Sequence, residues 1–260
     1  MTTRRAMLSS VGGFVAGTVF GGATSRSIAA PVTPWPYETI DPEDVRIRGH
    51  NYDYERGCAG GAWRALVTAL RDSAGGPWND LPDTLYDYGG GGIAGWGTIC
   101  GALNASVAVI GLAAPKGMSS ALINELMGWY TVTPLPTAAA NDAASQGEYR
   151  RETPLSTTAI VQSVSESPLC HISVSRWCKA SGLASGSPER GERCARLCGD
   201  TAAHAAELLN AAYAGTFAAT YEPPKEIRSC MACHHSGPDV SKGHTTTGKL
   251  DCLNCHEPHM

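Results

Sequence analysis

The chain of 260 residues lacks several features that define common classes of protein. After residue 30 it has no hydrophobic run long enough to span a bilayer, and residues 106–114 are among the longest. It has no excess of basic residues, with 20 lysines and arginines against 24 acidic residues, which disfavours nucleic-acid binding. Strand patterns are scarce. These absences favour a helical protein that neither crosses a membrane nor binds nucleic acid.

The chain also lacks a nucleotide-binding motif and a recognisable pair of catalytic nucleophile and base. Gly90, Gly92 and Gly95 match the spacing of the dinucleotide fingerprint. However, no apolar strand precedes them, and no acidic residue follows about 20 positions later. The glycines instead predict a flexible turn that leads into a helix carrying Cys100.

Residues 1–29 have the composition of a secretory signal peptide. Arg4 and Arg5 precede a weakly apolar, glycine-rich run, and residues 27–29 offer small side chains for cleavage. The arginine pair resembles a twin-arginine signal, a route that carries folded proteins, often with a cofactor already inserted. We therefore expect a periplasmic protein. Removing this segment, with its three arginines and no acidic residue, lowers the formal net charge from −4 to −7, which suits a basic redox protein as partner.

The remaining chain predicts an all-α fold in three parts. Residues 30–50 are proline-rich and polar, and they predict an extended lead-in. Residues 51–221 predict a cysteine-rich helical bundle, in which residues 131–166 form a long loop. Residues 222–260 contain so few apolar side chains that they cannot bury a core alone. This tail therefore predicts an irregular segment organised by bound groups.

The tail contains the sequence C-x-x-C-H twice, at residues 230–234 and 252–256. This is the attachment motif of c-type haem. Its two thiols each bond a vinyl group of one haem, and the adjacent histidine binds the iron. We predict two c-type haems, which also supply the missing core. The attachment cysteines and proximal histidines are Cys230, Cys233 and His234, followed by Cys252, Cys255 and His256.

Each haem iron has a second axial position that a histidine can fill. His235 directly follows the proximal His234, so it cannot reach the far face of the same iron and is placed to bind a neighbouring haem. The distal candidates are His235, His244 and His259, with His50 as a further one; the alternative for each is a solvated surface histidine. Six-coordinate haems indicate an electron carrier rather than an enzyme. An open position would permit reduction of a small ligand such as nitrite.

Six further cysteines lie outside these motifs, and none forms C-x-x-C: Cys58, Cys100, Cys170, Cys178, Cys194 and Cys198. Three disulfides or redox thiols are one interpretation, natural outside the cytoplasm. An iron–sulfur cluster held by four thiolates is the other. Haem c is attached after export and cannot explain a twin-arginine signal, whereas a cluster assembled in the cytoplasm can. We therefore predict one cluster, either [2Fe-2S] or [4Fe-4S].

Four cysteine segments carry a resemblance to a known family. Cys58-Ala59, the C-G-A-L-N-A segment from Cys100, S-P-L-C ending at Cys170 and R-C-A-R-L around Cys194 resemble the redox proteins named for the pattern C_GCAxxG_C_C. With two C-x-x-C-H motifs appended, the chain is similar to the split-Soret cytochromes c. The resemblance covers nearly all of the chain after the signal peptide.

The resemblance implies more than the residues show by themselves. It implies a homodimer with two bis-histidine haems stacked in parallel in each subunit, and a cluster in the helical domain away from the haems. Carried over by position, the cluster ligands are Cys58, Cys100, Cys170 and Cys194, and Cys178 can replace one of them. The implied function is electron transfer. A dimer also agrees with the tail, because 39 residues cannot cover two porphyrins.

Overall fold

A computed structural model of the protein describes residues 32–150, 157–246 and 248–257; the predicted signal peptide and His259 lie outside them. The described chain is helical with one short strand pair, which confirms the all-α prediction. The helices are α1 (Pro42–Ser73), α2 (Gly101–Ala113), α3 (Ser119–Val132), α4 (Ala138–Ser145), α5 (Cys170–Ser181), α6 (Pro188–Tyr213) and α7 (Lys225–Met231). Strands β1 (Pro134–Leu135) and β2 (Ser163–Val164) pair antiparallel. Short 3-10 turns lie at Gly76–Asp80, Asp87–Gly89, Val240–Lys242 and Cys252–Asn254.

The predicted extended lead-in is wrong beyond residue 41, because α1 already begins at Pro42. The side chain of Asp41 accepts a hydrogen bond from the N–H of Glu43 at 2.9 Å and caps the helix. Proline is favourable at the first helical position, where its missing N–H has no partner to lose. The proline that suggested extended chain therefore helps to start a helix.

Helix α1 is interrupted at Gly57, whose φ of 68° and ψ of 172° are not helical. A positive φ of this kind is readily adopted by glycine because it has no Cβ. A new helical segment therefore begins at Cys58.

The predicted long loop at residues 131–166 contains α4 and both strands, so the loop prediction is wrong there. Thr137 caps α4 by accepting a hydrogen bond from the N–H of Ala140 at 3.2 Å. The buried carboxylate of Asp200 in α6 accepts hydrogen bonds from the N–H and hydroxyl of Thr137 at 2.7 and 2.6 Å. This tertiary anchor adds to the weak helical tendency of a short alanine-rich segment.

Helices α1 and α6 pack closely through facing glycines. A Cβ placed on Gly49 would lie 2.7 Å from the Cα of Gly199, so the two backbones are in contact at this point. Helices α2 and α3 complete a core that includes the fully buried Leu103 and Leu126. Gly182 ends α5 with a φ of 73°, and Ser187 caps the start of α6. Within the described residues, every helix is too short or too polar to cross a bilayer.

Candidate redox sites

Cys100 and Cys170 lie side by side because the backbone segments around them pair. The N–H of Cys100 donates to the carbonyl of Pro168 at 2.8 Å, and the N–H of Cys170 donates to the carbonyl of Thr98 at 2.7 Å. Cys100 immediately precedes α2, and Cys170 is the first residue of α5. Two cysteines that are 70 positions apart in sequence thus open two neighbouring helices.

The thiols of Cys58 and Cys100 form a hydrogen-bonded pair. This bond, together with burial, raises the pKa of Cys58 well above its usual range. The same bond lowers the pKa of Cys100 to about 6, against the effect of burial. Hydrogen bonds from the hydroxyl of Tyr130 and from the N–H groups of the first turn of α2 contribute to this lowered value. Cys100 is therefore largely a thiolate at neutral pH, which is the form that binds metals.

Glycines allow the close approach of the chain around these sulfurs. A Cβ on Gly101 would lie 2.7 Å from the Sγ of Cys58, and a Cβ on Gly92 would lie 2.9 Å from the Cβ of Cys170. The cysteine–glycine pair at the start of α2 therefore has a packing reason, because a larger residue would displace the Cys58 thiol.

Helix α6 adds two cysteines one turn apart. The thiols of Cys58 and Cys170 lie near Cys194. Burial raises the pKa of both thiols, and negative charge on the Cys194 sulfur raises it as well. The thiol of Cys198 is buried and donates a hydrogen bond to the carbonyl oxygen of Cys58 at 3.2 Å. The structure thus brings the four predicted ligands into one region, together with Cys198.

Cys178 lies apart from this group along α5. It is eight residues beyond Cys170, which is about 12 Å along a helix axis. Its exchange for one of the four predicted ligands stays a prediction.

All ten cysteines are free thiols in the structure. Among the described residues, no three histidine, cysteine, aspartate or glutamate side chains converge closely enough to hold a single metal ion. The thiols therefore lie near one another without forming a site for a single metal ion. The donor set of several cysteine thiols is nevertheless the one that iron–sulfur clusters use.

Three charged side chains beside these thiols were missed by the sequence analysis. Asp53 is half-buried, but its Oδ1 is shielded from solvent and lacks a hydrogen-bond partner in the described chain. Desolvation, with the charge of Cys100, raises the pKa of Asp53 to about 7. Arg190 and Arg193 each place an NH1 atom 3.9 Å from the Sγ of Cys194. The sequence held one signal for the two arginines: both lie within four residues of Cys194 on the same helix, so they could have been predicted to lie near its sulfur.

The two C-x-x-C-H motifs adopt the same backbone turn. The carbonyl of Cys230 accepts hydrogen bonds from the N–H groups of Cys233 at 3.2 Å and His234 at 2.8 Å. The carbonyl of Cys252 accepts the two corresponding bonds at 3.1 and 2.9 Å. Each turn holds two thiols and one imidazole in a compact unit, as attachment of haem c requires.

Both motifs line one cavity of about 400 Å³. Its walls include Cys230, Cys233, His234, Cys252 and His256. The thiols of Cys230 and Cys252 are hydrogen-bonding neighbours; burial and this contact both raise the pKa of Cys252. Groups attached to the two motifs are therefore neighbours.

The backbone orients His234, the first of the two predicted proximal histidines. The Nδ1 of His234 lies 3.2 Å from the carbonyl oxygen of Gly243. A carbonyl only accepts hydrogen bonds, so this contact assigns the proton to Nδ1 and the lone pair to Nε2, the form in which an imidazole binds iron. Gly243 reaches this position with a φ of 84°.

The remaining histidines fall in different places. The rings of His235 and His244 lie together, with centroids 4.3 Å apart. His259 lies outside the described residues. His50 is fully buried in the bundle, with its Nε2 3.0 Å from an oxygen of Glu192 and its Nδ1 3.3 Å from the oxygen of Asn51. Its inclusion among the haem-ligand candidates is therefore wrong, because both nitrogens are occupied within the core.

The helical fold and its thiol-rich region define a redox protein. Residues 63–208 match the family model described as "Putative redox-active protein (C_GCAxxG_C_C)", and the chain belongs to this family. The match starts after Cys58 and ends before the tail.

The relatives narrow this class further. Split-Soret cytochrome c of Desulfovibrio desulfuricans is 33% identical over 97% of this chain and 94% of its own length. A solved structure of split-Soret cytochrome c from Desulfovibrio desulfuricans, described as containing a novel iron centre, matches with a TM-score of 0.72 and 35% identity, over 86% of this chain and 90% of that one. This chain is a homologue of split-Soret cytochrome c, a redox protein of electron transfer.

Proposed function

We propose that the protein is a periplasmic, homodimeric electron carrier with two c-type haems and one iron–sulfur cluster in each subunit. The observation that carries this proposal is the pair of C-x-x-C-H turns with matching hydrogen bonds, which line one cavity. The name of the relative, a cytochrome c, and the iron centre described for its structure support it.

The residues of the tail fit two haems. Cys230 and Cys233 would hold one haem and Cys252 and Cys255 the other, with His234 and His256 as the proximal ligands. Bound haem supplies an iron that gains and loses single electrons. The chain supplies the orientation, since the Gly243 carbonyl fixes the ring of His234.

The distal ligands belong to the same proposal. His235, His244 and His259 are the candidates, and the neighbouring rings of His235 and His244 offer two imidazoles from one side of the tail. The cavity of about 400 Å³ is too small to enclose two porphyrins, so further protein must cover them. A second copy of the chain would provide this cover and a histidine from across the interface.

The helical domain fits a cluster by its donor set. Cys58, Cys100, Cys170 and Cys194 are the proposed ligands of a [2Fe-2S] or [4Fe-4S] cluster. The thiolate character of Cys100 and the two arginine side chains beside Cys194 favour negatively charged sulfur at this place. The neutral Cys198 thiol is engaged with the backbone of Cys58 and has a structural role.

The first experiment is a count of haem, total iron and acid-labile sulfide per subunit in protein purified without oxygen. We expect two haems, with iron in excess of haem and matching sulfide. Cys170→Ser is expected to lose the extra iron and the sulfide while keeping both haems. The double variant Cys230→Ala with Cys233→Ala is expected to lose one haem and keep the cluster.

Two haems without extra iron would refute the cluster. The hydrogen-bonded Cys58–Cys100 thiols, one of them largely a thiolate, would then favour thiol–disulfide chemistry in the helical domain. Titration of the free thiols and mapping of disulfides after mild oxidation would identify that second function.

A reductase of a small ligand such as nitrite would need an open iron position. If both haems are six-coordinate, carbon monoxide should leave the visible spectrum of the reduced protein unchanged. The variants His235→Ala and His244→Ala should each create a spectrum that carbon monoxide changes. A wild-type protein that binds carbon monoxide would favour the reductase.

The proposed periplasmic location depends on residues 1–29, and the proposed basic partner depends on the net charge of the chain. Replacing Arg4 and Arg5 with lysine should retain the protein in the cytoplasm if the twin-arginine route carries it. Binding to a basic cytochrome should weaken steeply as ionic strength rises, because the mature chain is acidic. Binding that does not change with salt would refute the charge argument.

A further inference from the structure

Arg193 is a buried cation without a carboxylate partner. Arg193 is only 1% exposed, and no carboxylate oxygen of the described residues lies within ion-pair distance of its guanidinium. The two other buried arginines are paired: Arg196 with Glu192 at 2.8 Å, and Arg46 with Asp200. A buried charge is costly unless an opposite charge compensates it.

Sulfur and phenol groups surround this guanidinium. Its NH1 lies 3.9 Å from the Sγ of Cys194, its NH2 donates to the hydroxyl of Ser173 at 2.8 Å, and its Nε has no partner among the described residues. The charged groups that act on it most strongly are those of Cys194, Tyr130 and Cys100. Of these groups, the guanidinium contacts the Cys194 sulfur directly.

A second route links Arg193 to Cys100 through hydroxyls. The hydroxyls of Ser173 and Tyr130 lie 2.9 Å apart, and the Tyr130 hydroxyl also faces the Cys100 sulfur. Arg193 and the Tyr130 hydroxyl both donate to the Ser173 oxygen, so Ser173 joins the guanidinium to the hydroxyl that faces Cys100. Arg193 thus acts on one sulfur through its charge and on another through this chain.

We propose that Arg193 is the counter-charge of the cysteine-bound iron–sulfur centre and raises its reduction potential. This inference rests on the proposed cluster. When one electron from a reductant such as dithionite converts an iron(III) to iron(II), no protein bond changes and the centre becomes more negative by one unit. A nearby positive charge and hydrogen bonds to the sulfurs favour that reduced state. Arg193 is a positioning residue, since it acts through Cys194 and Cys100 rather than on iron.

Arg190 offers an internal comparison on the same helix. Its NH1 is also 3.9 Å from the Cys194 sulfur, but its side chain is half-buried, whereas Arg193 is buried. Water and the nearby Asp53 carboxylate weaken the effect of its charge. At equal distance, burial should make Arg193 the stronger of the two.

The test is a redox titration of the complete, haem-containing protein with dithionite. The cluster is followed by electron paramagnetic resonance and the haems by visible absorption. We expect R193Q to reduce the equilibrium constant for reduction of the cluster at least tenfold, or about 59 mV for one electron, with unchanged haem potentials. R193K, which keeps the charge, should shift less, and so should R190Q. R48Q removes a cation from an exposed pair and should not shift the potential.

Each outcome decides between the two proposals. R193Q with a full cluster and an unchanged potential would overturn the role of Arg193 alone. If R193Q does not retain the cluster, Y130F keeps the arginine and removes only the hydroxyl that faces Cys100. An unchanged potential in Y130F, together with a tenfold or larger effect of R190Q, would then assign the counter-charge to Arg190 and overturn the inference. A wild-type protein without iron beyond its haems would overturn the proposed cluster, and this inference with it.

Discussion

The thiol of Cys198 donates a hydrogen bond to the carbonyl oxygen of Cys58 at 3.2 Å, joining α6 to the residue that follows the break in α1. The two residues are 140 positions apart in sequence. Burial raises the pKa of Cys198 well above its usual range, so its sulfur is a neutral donor beside the other thiols. The hydrogen bond thus gives Cys198 a structural contact with the segment that begins at Cys58, and this contact does not require a metal.

Cys198→Ala should keep the iron and sulfide of the cluster domain. The loss of one buried hydrogen bond and a small cavity should lower the free energy of unfolding by roughly 1–3 kcal/mol. Cys194→Ala, one turn away, should lose the extra iron. Metal and sulfide counts, with urea unfolding, would check both; loss of iron from the Cys198 variant would make that cysteine a ligand.

Gly101→Ala should disturb the site, because the new Cβ would lie 2.7 Å from the Cys58 sulfur. We expect a lower Tm and less iron and sulfide per haem. The matched control is Gly111→Ala in the same helix, where no atom lies within 4 Å of the added Cβ. That control should stabilise the protein by roughly 0.5–1 kcal/mol, since alanine favours a helix over glycine. Equal effects at the two positions would contradict the packing argument.

His50→Ala should leave the visible haem spectrum unchanged, because His50 bonds to Glu192 within the core. Its loss leaves a buried carboxylate with fewer partners, and the free energy of unfolding should fall by roughly 1–3 kcal/mol. His204→Ala is the comparison: its partner Glu207 is exposed, and the change should stay within about 1 kcal/mol. A spectral change in the His50 variant would restore His50 as a haem-ligand candidate.

Glu125 anchors the chain that leads into the tail with the two C-x-x-C-H motifs. Its carboxylate accepts hydrogen bonds from the N–H groups of Thr220 at 2.9 Å and Tyr221 at 3.0 Å, and from the Thr220 hydroxyl. Burial alone would raise the pKa of Glu125, but these hydrogen bonds lower it below its usual value of 4.5. The carboxylate therefore contributes stability above pH 4.5, and this contribution is lost as pH falls through the lowered pKa.

Glu125→Gln should accordingly lower the free energy of unfolding near neutral pH, by roughly 1–3 kcal/mol. The difference from wild type should shrink in acid, where Glu125 is protonated in both the folded and the unfolded state. Urea unfolding of both proteins at neutral pH and well below pH 4.5 would check this. A difference that stays constant across this range would show that the charge of Glu125 contributes nothing.

Local sequence patterns predicted most helices of the bundle. They missed helices whose start depends on contacts between residues far apart in the sequence. The cap at Ser187 and the stop at Gly182 lie next to the helices they bound, so α5 and α6 were predictable. Helix α4 was missed because a buried carboxylate, Asp200, anchors its cap from α6. The start of α1 was missed for a different reason: the Asp41–Pro42 cap signal was present, but the prolines before it suggested extended chain.

The C-x-x-C-H motifs predict the two haem attachment sites from sequence alone, because the spacing of two thiols and a histidine within five residues is a local property. The sequence also indicated a second redox feature in the six other cysteines. Tertiary packing brings Cys58, Cys100, Cys170, Cys194 and Cys198 together and leaves Cys178 apart, which their spacing in the sequence did not predict. The same holds for Arg193, whose lack of a carboxylate partner and whose contact with sulfur depend on how α3, α5 and α6 pack. Such contacts join residues far apart in the chain, and packing sets them rather than spacing.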